Sequence, residues 1–279
     1  MPTALETIRL VDPARSIEAH LAPSRGGILT RLSVRGRELL FLDEATLLDE
    51  TKNVRGGCPV LFPSPGPLAG DRFARDGREG AMKQHGFARQ RPWSIAHLGP
   101  GEATLELASS EETLAQFPWP FRIAYHYALE ARGIRITQRF ESTSDAPMPF
   151  ACGFHPYFRV ANGEKARARI PTPATRAWDN VGKCEVAIEG EIDLTAKEVD
   201  LHLVDHGASE AALVLDGGAR IVVRGSSPFA RWVIWTLEGK DFVCLEPWTA
   251  ASDALNHGRG LLVAPGRGAL ELWTSITLE

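Results

Sequence analysis

Short segments in which apolar and polar residues alternate recur along this chain, and they limit the folds open to it. The segment GIRITQRFES places Ile134, Ile136 and Phe140 on one side and charged or polar residues on the other. A period of two is the pattern of a strand with one buried and one hydrated face. FRIAYHYALE (121–130) and ALELWTSITLE (269–279) repeat the pattern. The sequence therefore predicts sheets much more readily than helices.

Glycine- and proline-containing turns such as LDGG, EARG and APGRG separate these segments at short intervals. Two further segments, ARWVIWTL and DFVCLE, are apolar on both faces, which is typical of central strands. One segment favours a short helix: in SSEETLAQ, Ser109 or Ser110 can cap a first turn that contains glutamates. We therefore predict an all-β fold, a large antiparallel sandwich with few short helices, as a single domain over residues 1–279.

The charge of the chain is nearly balanced. There are 31 Lys and Arg residues against 35 Asp and Glu, giving a formal net charge of −4, and no block of like charges. This balance argues against nucleic-acid and membrane partners and favours a small molecule. The N-terminal segment lacks the pattern of a secretory signal, and no apolar run approaches a membrane span, so we expect a cytoplasmic protein. A monomer and a homodimer both remain open.

The cysteines are few and widely spaced. Cys58, Cys152, Cys184 and Cys244 form no paired CxxC spacing of the kind that indicates a zinc site or a redox motif. We expect reduced, partly buried thiols and no bound metal.

One long segment departs from the strand pattern. Residues 54–93 are crowded with glycine and proline, show little periodicity, and contain Arg55, His85, Arg89 and Trp93. A long irregular segment inside a compact β domain is usually either functional or disordered. Its aromatic and glycine content favours an ordered loop with a function.

Two residues have the chemistry of proton transfer. His155 lies among aromatics in FACGFHPYF, where desolvation would lower its pKa and leave an imidazole able to exchange protons near neutral pH. Glu246 ends the apolar run Phe242–Leu245, where a carboxylate can keep a raised pKa and act as a base. The alternatives are a core histidine bonded to a backbone carbonyl and a strand-end glutamate in solvent.

Several motifs, taken in order, resemble the aldose 1-epimerases (galactose mutarotase-like proteins), especially the branch that includes glucose-6-phosphate 1-epimerases. The motifs are RGGCPVLFPSPG, HGFARQRPW, GFHPYF and VCLEPWTAASDALNHG, followed by APG and a terminal SITL strand. They span about residues 54–279, and the N-terminal fifty residues fit more loosely. The resemblance implies a β-supersandwich whose concave face holds a sugar, and interconversion of α and β anomers without a cofactor.

The resemblance also implies roles for individual residues. His155 matches the general acid that protonates the ring oxygen, and Glu246 matches the base that takes the proton from the anomeric hydroxyl. His85 in HGFAR matches a second histidine that hydrogen-bonds the sugar. Arg55 in VRGG matches an arginine that contacts substrate, and Arg89 in HGFAR is placed with it as a substrate-binding residue.

The family also uses an aspartate to hold sugar hydroxyls. Asp200 in EVDLHL is the preferred match, with Asp205 in VDHG and Asp193 in EIDL as alternatives, and each could instead be a turn or cap carboxylate. Aromatic residues that could stack against a sugar, although in a sandwich they are more often core, are Trp93, Trp248 and Phe154.

Three questions stay open on the sequence. Arg55, Arg72, Arg75 and Arg89 could form an anion site, but solvated loop charges are the favoured interpretation, so free and phosphorylated hexoses both remain candidates. A non-catalytic sugar-binding protein on the same fold is an alternative to the enzyme. A glycoside hydrolase is a further rival, but hydrolysis usually needs two carboxylates rather than a His/Glu pair.

Overall fold

Strands dominate the computed structural model, which describes residues 5–279. Residues 1–4 lie outside the described residues. They belong to the predicted single domain and begin the N-terminal segment that is predicted to lack a secretory signal. In chain order the strands are β1 (Ile8–Asp12), β2 (Ile17–Ala22), β3 (Ile28–Val34), β4 (Arg37–Glu38), β5 (Val60–Leu61), β6 (Arg72–Arg75), β7 (Arg78–Ala81), β8 (Ser94–Gly99), β9 (Glu102–Ala108), β10 (Phe121–Glu130), β11 (Gly133–Ser142), β12 (Met148–Phe150), β13 (Gly153–Phe154), β14 (Tyr157–Arg159), β15 (Arg176–Asp179), β16 (Cys184–Ala187), β17 (Glu198–Leu203), β18 (Glu210–Val214), β19 (Arg220–Gly225), β20 (Arg231–Leu237), β21 (Phe242–Trp248), β22 (Leu262–Ala264) and β23 (Ala269–Leu278).

Helices are few and short, as predicted. The α-helices of the described residues are α1 (Glu44–Leu48), α2 (Glu111–Gln116) and α3 (Ala254–His257), and 3-10 turns occur at Pro23–Arg25, Ala69–Asp71, Ala88–Gln90 and Asn162–Arg167. Helix α2 is the one predicted from SSEETLAQ: the Ser110 side chain accepts from the Thr113 amide, and the Thr113 hydroxyl accepts from the Ser110 amide. Between residues 5 and 279, no helix has the length and apolar composition needed to span a bilayer.

Two large antiparallel sheets form the sandwich. One has seven strands in the order β18-β19-β23-β11-β10-β9-β8, and the other follows the order β16-β15-β17-β20-β21-β13-β5, with β14 also paired to β21. A four-stranded sheet, β1-β2-β3-β4, the β6-β7 hairpin and a two-stranded sheet of β12 and β22 complete the architecture. The three alternating segments of the sequence, β10, β11 and β23, lie side by side in the seven-stranded sheet. The all-β prediction is therefore confirmed.

Aromatic side chains join the two sheets. The ring of Phe62, just beyond β5, lies 5.3 Å from Phe121 and 5.7 Å from Phe140 of the opposite sheet, measured between ring centroids. Tyr125 on β10 likewise meets Phe154 on β13 at 5.6 Å. Burying such rings supplies much of the apolar area removed from water.

The segment 54–93 is more regular than its sequence suggests. It contains β5 and the hairpin of β6 and β7, whose turn at Asp76 and Gly77 has positive φ at both residues. An Asp-Gly pair is the usual signal for such a turn, so this hairpin could have been predicted. The remainder is an ordered loop, and three of its residues, Arg55, His85 and Arg89, lie in the wall of a cavity beside β17, β20 and β21.

Candidate functional site

A cavity of about 290 Å³ beside strands β17, β20 and β21 of the eight-stranded sheet brings the predicted site residues together. Its walls include all six of them: Arg55, His85, Arg89, His155, Asp200 and Glu246. They come from positions up to 191 residues apart in the chain, so the convergence is a property of the fold. We refer to this space as the sugar cavity, after the ligand that the family resemblance implies.

Glu246 reaches the cavity from a fully buried strand. It lies on β21, whose seven residues are all buried, and it pairs directly with Val233 of β20. The Trp248 indole N–H donates to Glu246 Oε2 at 3.1 Å. Directly paired residues share one face of a sheet, so Glu246 and Val233 both face the sugar cavity. The alternative of a solvent-facing strand-end glutamate is wrong.

His155 is held in one orientation by its neighbours. It lies between β13 and β14, and its amide donates to the Pro59 carbonyl at 3.0 Å. The imidazole stacks on Tyr157 at 4.7 Å and 12° and meets Trp235 edge-on at 5.7 Å. Its Nε2 is 3.3 Å from Glu246 Oε1, while Nδ1 is buried without a hydrogen-bond partner. The alternative, a histidine satisfied by a backbone carbonyl, does not describe this ring.

Burial moves both members of this pair toward their uncharged forms. Desolvation raises the pKa of Glu246 well above its ordinary value, and the Trp248 N–H only partly opposes the shift. Desolvation lowers the pKa of His155 well below 6.5, and the nearby His85 and Arg89 add to that effect. The neutral pair and the carboxylate–imidazolium pair contain the same number of protons. One proton transfer over 3.3 Å interconverts them.

His85 presents its second nitrogen to the cavity region in a defined tautomer. Its Nδ1 contacts the Pro65 carbonyl, which can only accept, so Nδ1 carries the proton and Nε2 is an acceptor in the neutral ring. The ring meets His155 edge-on at 5.4 Å and Trp248 at 6.0 Å. Desolvation, assisted by Arg89, lowers the pKa of His85 to about 3. His85 is therefore a neutral hydrogen-bonding group.

Two of the four loop arginines line the sugar cavity. Arg55 lies with its guanidinium 5.6 Å from the centroid of Trp235, and Arg89 donates from Nη2 to the Gln84 carbonyl at 3.1 Å. The Nε of Arg89 is buried and has no partner. Arg72 and Arg75 lie instead on the β6 hairpin and are not part of the wall.

Asp200 is the one predicted aspartate that reaches the cavity. It accepts from Asn180 Nδ2 at 2.7 Å and lies 3.2 Å from His202 Nε2. Burial tends to raise the pKa of Asp200, but the hydrogen bonds from His202 and Asn180 outweigh it, so the pKa is lowered and the group is a carboxylate. Asp205 is exposed and accepts from Thr175, and Asp193 accepts from Thr195 in a turn.

Two aromatic residues suggested as stacking partners lie elsewhere. Trp93 is buried, donates to the Ala88 carbonyl and packs on Tyr125. Phe154 packs in the core on the same tyrosine. Both side chains are buried in the core of the sandwich, whereas Trp248 lines the cavity.

Sequence reasoning missed five polar or aromatic wall residues: Asn53, Gln84, Tyr157, His202 and Trp235. The signal was present in the alternation, because Trp235 is two residues from Val233 and His202 is two residues from Asp200 on their strands. What the alternation lacked was the information about which face of each strand points toward the cavity.

Within the described residues, one group of side chains could hold a metal ion. Donor atoms of His155, Cys244 and Glu246 lie within 4.8 Å of one another. Burial raises the pKa of the Cys244 thiol well above its ordinary value. A metal ion requires the thiolate, so this thiol is a poor ligand.

Comparisons with known proteins decide the family. A family model described as aldose 1-epimerase matches residues 8–269. The chain belongs to the aldose 1-epimerase family. A protein from Cenchrus ciliaris named "Putative glucose-6-phosphate 1-epimerase" is 30% identical over 178 residues, which are 60% of this chain and 50% of that protein. The chain thus matches about half the length of that relative.

Solved structures of other proteins have the same fold as this chain. The Slr1438 protein from Synechocystis sp. PCC 6803 is 33% identical with a TM-score of 0.95, over 100% of this chain and 97% of that one. A galactose mutarotase-like protein from Lactobacillus casei ATCC 334 is 23% identical with a TM-score of 0.78, over 98% of this chain and 100% of that one. The predicted galactose mutarotase-like architecture is therefore confirmed.

Proposed function

We propose that this chain is an aldose 1-epimerase that interconverts the α and β anomers of a hexose by acid–base opening of the ring. The observation that carries the proposal is the 3.3 Å approach of His155 Nε2 to Glu246 Oε1 inside the sugar cavity. Opening a hemiacetal requires a proton to be removed from one oxygen and delivered to another oxygen on the same carbon. Two adjacent groups with pKa values shifted by burial suit that task.

The two transfers divide between the pair. Glu246 as carboxylate takes the proton of the anomeric hydroxyl, and His155 as imidazolium gives its proton to the ring oxygen as the bond from the anomeric carbon to that oxygen breaks. Rotation about the bond between the first two carbons presents the other face of the aldehyde. Closure with both transfers reversed yields the second anomer and restores the pair.

The other wall residues position the sugar. The Nε2 of His85 accepts from Gln84 Nε2 at 3.3 Å, and a sugar hydroxyl takes the place of that amide as donor, because Nδ1 is committed to Pro65. The Asp200 carboxylate accepts from hydroxyls on the far side of the ring, since β17 is separated from β21 by β20. Neighbouring strands lie about 4.8 Å apart, and Asp200 and Glu246 lie two strands apart. They are therefore placed to bind opposite ends of one pyranose.

The proposal covers free and phosphorylated hexoses. Arg55 and Arg89 put two positive charges at the wall, and guanidinium groups bind phosphate well. They bind sugar hydroxyls as donors too, and the named relative from Cenchrus ciliaris supports but does not decide a phosphorylated substrate.

The residues of the cavity do not match what the two rival functions, sugar binding without catalysis and glycoside hydrolysis, would require. A sugar-binding protein has no need of a buried His/Glu pair in contact. A glycoside hydrolase usually employs two carboxylic groups, one of which stays protonated as an acid. Asp200 cannot fill that role, because His202 and Asn180 hold its pKa below the ordinary value.

The test is the rate at which freshly dissolved α-glucose, α-galactose and, by a coupled assay, α-glucose 6-phosphate reach anomeric equilibrium. Glu246→Gln and His155→Asn are each expected to lower kcat by about 10²–10⁴-fold, the usual contribution of a positioned acid or base. Glu238→Gln and His97→Asn, which change exposed residues outside the cavity, are matched controls. Unchanged rates in both cavity variants, or no acceleration by folded wild type, would refute the proposal.

A further inference from the structure

The proposed reaction needs a positive charge on His155, and most of the surroundings of this residue oppose that charge. Its side chain is only 10% exposed, so water does little to stabilise an imidazolium. His85, Arg89 and Arg55 add repulsion from the same cavity. The carboxylate of Glu246 is the ion-pair partner, 3.3 Å from Nε2. The fraction of the pair in its reactive carboxylate–imidazolium form therefore depends on any further group that stabilises the cation.

Tyr157 lies flat against the imidazole of His155. The two ring centroids are 4.7 Å apart and the ring planes differ by 12°. The other aromatic contacts of His155 are perpendicular: Trp235 lies at 5.7 Å and 84°, and His85 at 5.4 Å and 84°. The face of an aromatic ring is the negative part of its quadrupole. A cation within about 6 Å of the centroid of a tyrosine ring is attracted to that face, so this stack favours the imidazolium.

The backbone fixes the stack. The amide of His155 donates to the Pro59 carbonyl at 3.0 Å, and the amide of Tyr157 donates to the Gly57 carbonyl at 2.8 Å. Between them lies Pro156, whose ring restricts φ. Both rings are thus attached to the same neighbouring segment and face each other before any sugar binds.

The phenol of Tyr157 is not itself a proton donor at neutral pH. Burial raises its pKa above the ordinary value of 10. The ring is also enclosed on other sides, since it meets Phe242 at 4.9 Å and Trp235 at 5.8 Å. What Tyr157 offers to His155 is therefore the face of a neutral aromatic ring.

We propose that Tyr157 is a positioning residue for the acid: its ring face stabilises the imidazolium of His155 and holds it beside Glu246. This rests on the proposed function for the role of His155. The proton transfers are unchanged, and Tyr157 alters only the fraction of the pair in the reactive form. Its removal is therefore expected to lower kcat and to leave KM nearly unchanged.

A series of rings of nearly constant shape tests the proposal. Position 157 is changed by Tyr157→Phe, and the same phenylalanine is then replaced by its 3,5-difluoro and 3,4,5-trifluoro derivatives, because fluorine withdraws electrons from the ring face. Anomeric exchange is followed with the sugar that wild type converts fastest. Tyr157→Phe is expected to keep most of kcat, and the fluorinated rings to lower kcat stepwise by about two- to thirtyfold in total. Tyr157→Leu is expected to match the trifluorinated ring.

The matched control is Phe158, the next residue on β14. Its side chain belongs to the main apolar cluster and lies outside the wall of the sugar cavity. Trifluorination of Phe158 is expected to leave kcat unchanged, and an equal fall there overturns the proposal, since the effect would then be one of packing. Equal kcat for the plain and trifluorinated rings at position 157 also overturns it and leaves the proposed function standing. No acceleration by folded wild type refutes the proposed function and this proposal together.

Discussion

At the residue scale, burial controls the protonation of the proposed acid and base. Glu246 and His155 are drawn toward their neutral forms by desolvation, in opposite pKa directions. The sequence predicted the lowered histidine pKa from its aromatic neighbours and the raised glutamate pKa from the apolar run before it. It could not predict that the two groups approach within 3.3 Å, because that distance depends on residues 91 positions apart.

The first prediction concerns the pH dependence of kcat/KM. The reactive form of the His155–Glu246 pair holds one proton. The pair gains a second proton when the pH falls below the lowered pKa of His155, and it loses its one proton when the pH rises above the raised pKa of Glu246. We expect kcat/KM to stay level through pH 6.5, where an ordinary histidine titrates, and to fall only at higher pH. Rates are measured from pH 5 to 9 after subtraction of the spontaneous reaction. A fall centred near pH 6.5 would contradict this prediction.

At the element scale, the cavity depends on strands that pair over long sequence separations. The β20 and β21 pair is a local hairpin, whereas β13 pairs with both β21 and β5. The alternation within each strand was visible in the sequence, but the neighbours of β17 and β13 were not. In the loop before β8, His85 and Gly86 of the motif HGFAR both have positive φ. The glycine in this motif is the residue of the pair that indicates such a turn in the sequence.

Gly86 provides the second prediction. A Cβ at this position would collide with the Phe62 carbonyl, and its φ of +67° is unfavourable for other residues. Gly86→Ala is therefore expected to destabilise the protein by more than about 1 kcal/mol and to reduce activity by moving the adjacent His85. Thermal denaturation and mutarotation assays measure the two effects.

The control for this variant is Gly77→Ala. Gly77 has a similar φ of +71°, but a Cβ there would meet nothing within 4 Å. This variant shares the backbone strain and lacks the collision and the link to the cavity. Equal losses of stability and activity in the two variants would show that the close approach to Phe62 is unimportant.

At the scale of the whole molecule, one cluster of contacting buried apolar side chains includes residues from Ile8 to Ile276. The cluster receives side chains from the four-stranded sheet and from both large sheets. The sequence predicted a single domain from the lack of a linker, and the continuous core supports the same proposal in physical terms, because a domain is defined by its own hydrophobic core.

The third prediction follows from that core. If residues 5–279 form one domain, scanning calorimetry will show a single unfolding transition, and tryptophan fluorescence and far-ultraviolet circular dichroism will share one midpoint. Buried tryptophans report on both sheets, since Trp232 lies on β20 and Trp119 contacts Phe117 near β10. Two separated transitions, or midpoints that differ between the probes, would divide the chain into independent units.

The sequence by itself determined the all-β class, helix α2, the principal strands and the identity of the proposed acid and base. These features are local, because alternation, capping and motif residues are properties of a few neighbouring positions. The tertiary structure decided which aspartate reaches the cavity and why Trp93 and Phe154 belong to the core. These depend on strand register and sheet order, which are set by contacts between residues far apart in the chain and are absent from any local pattern.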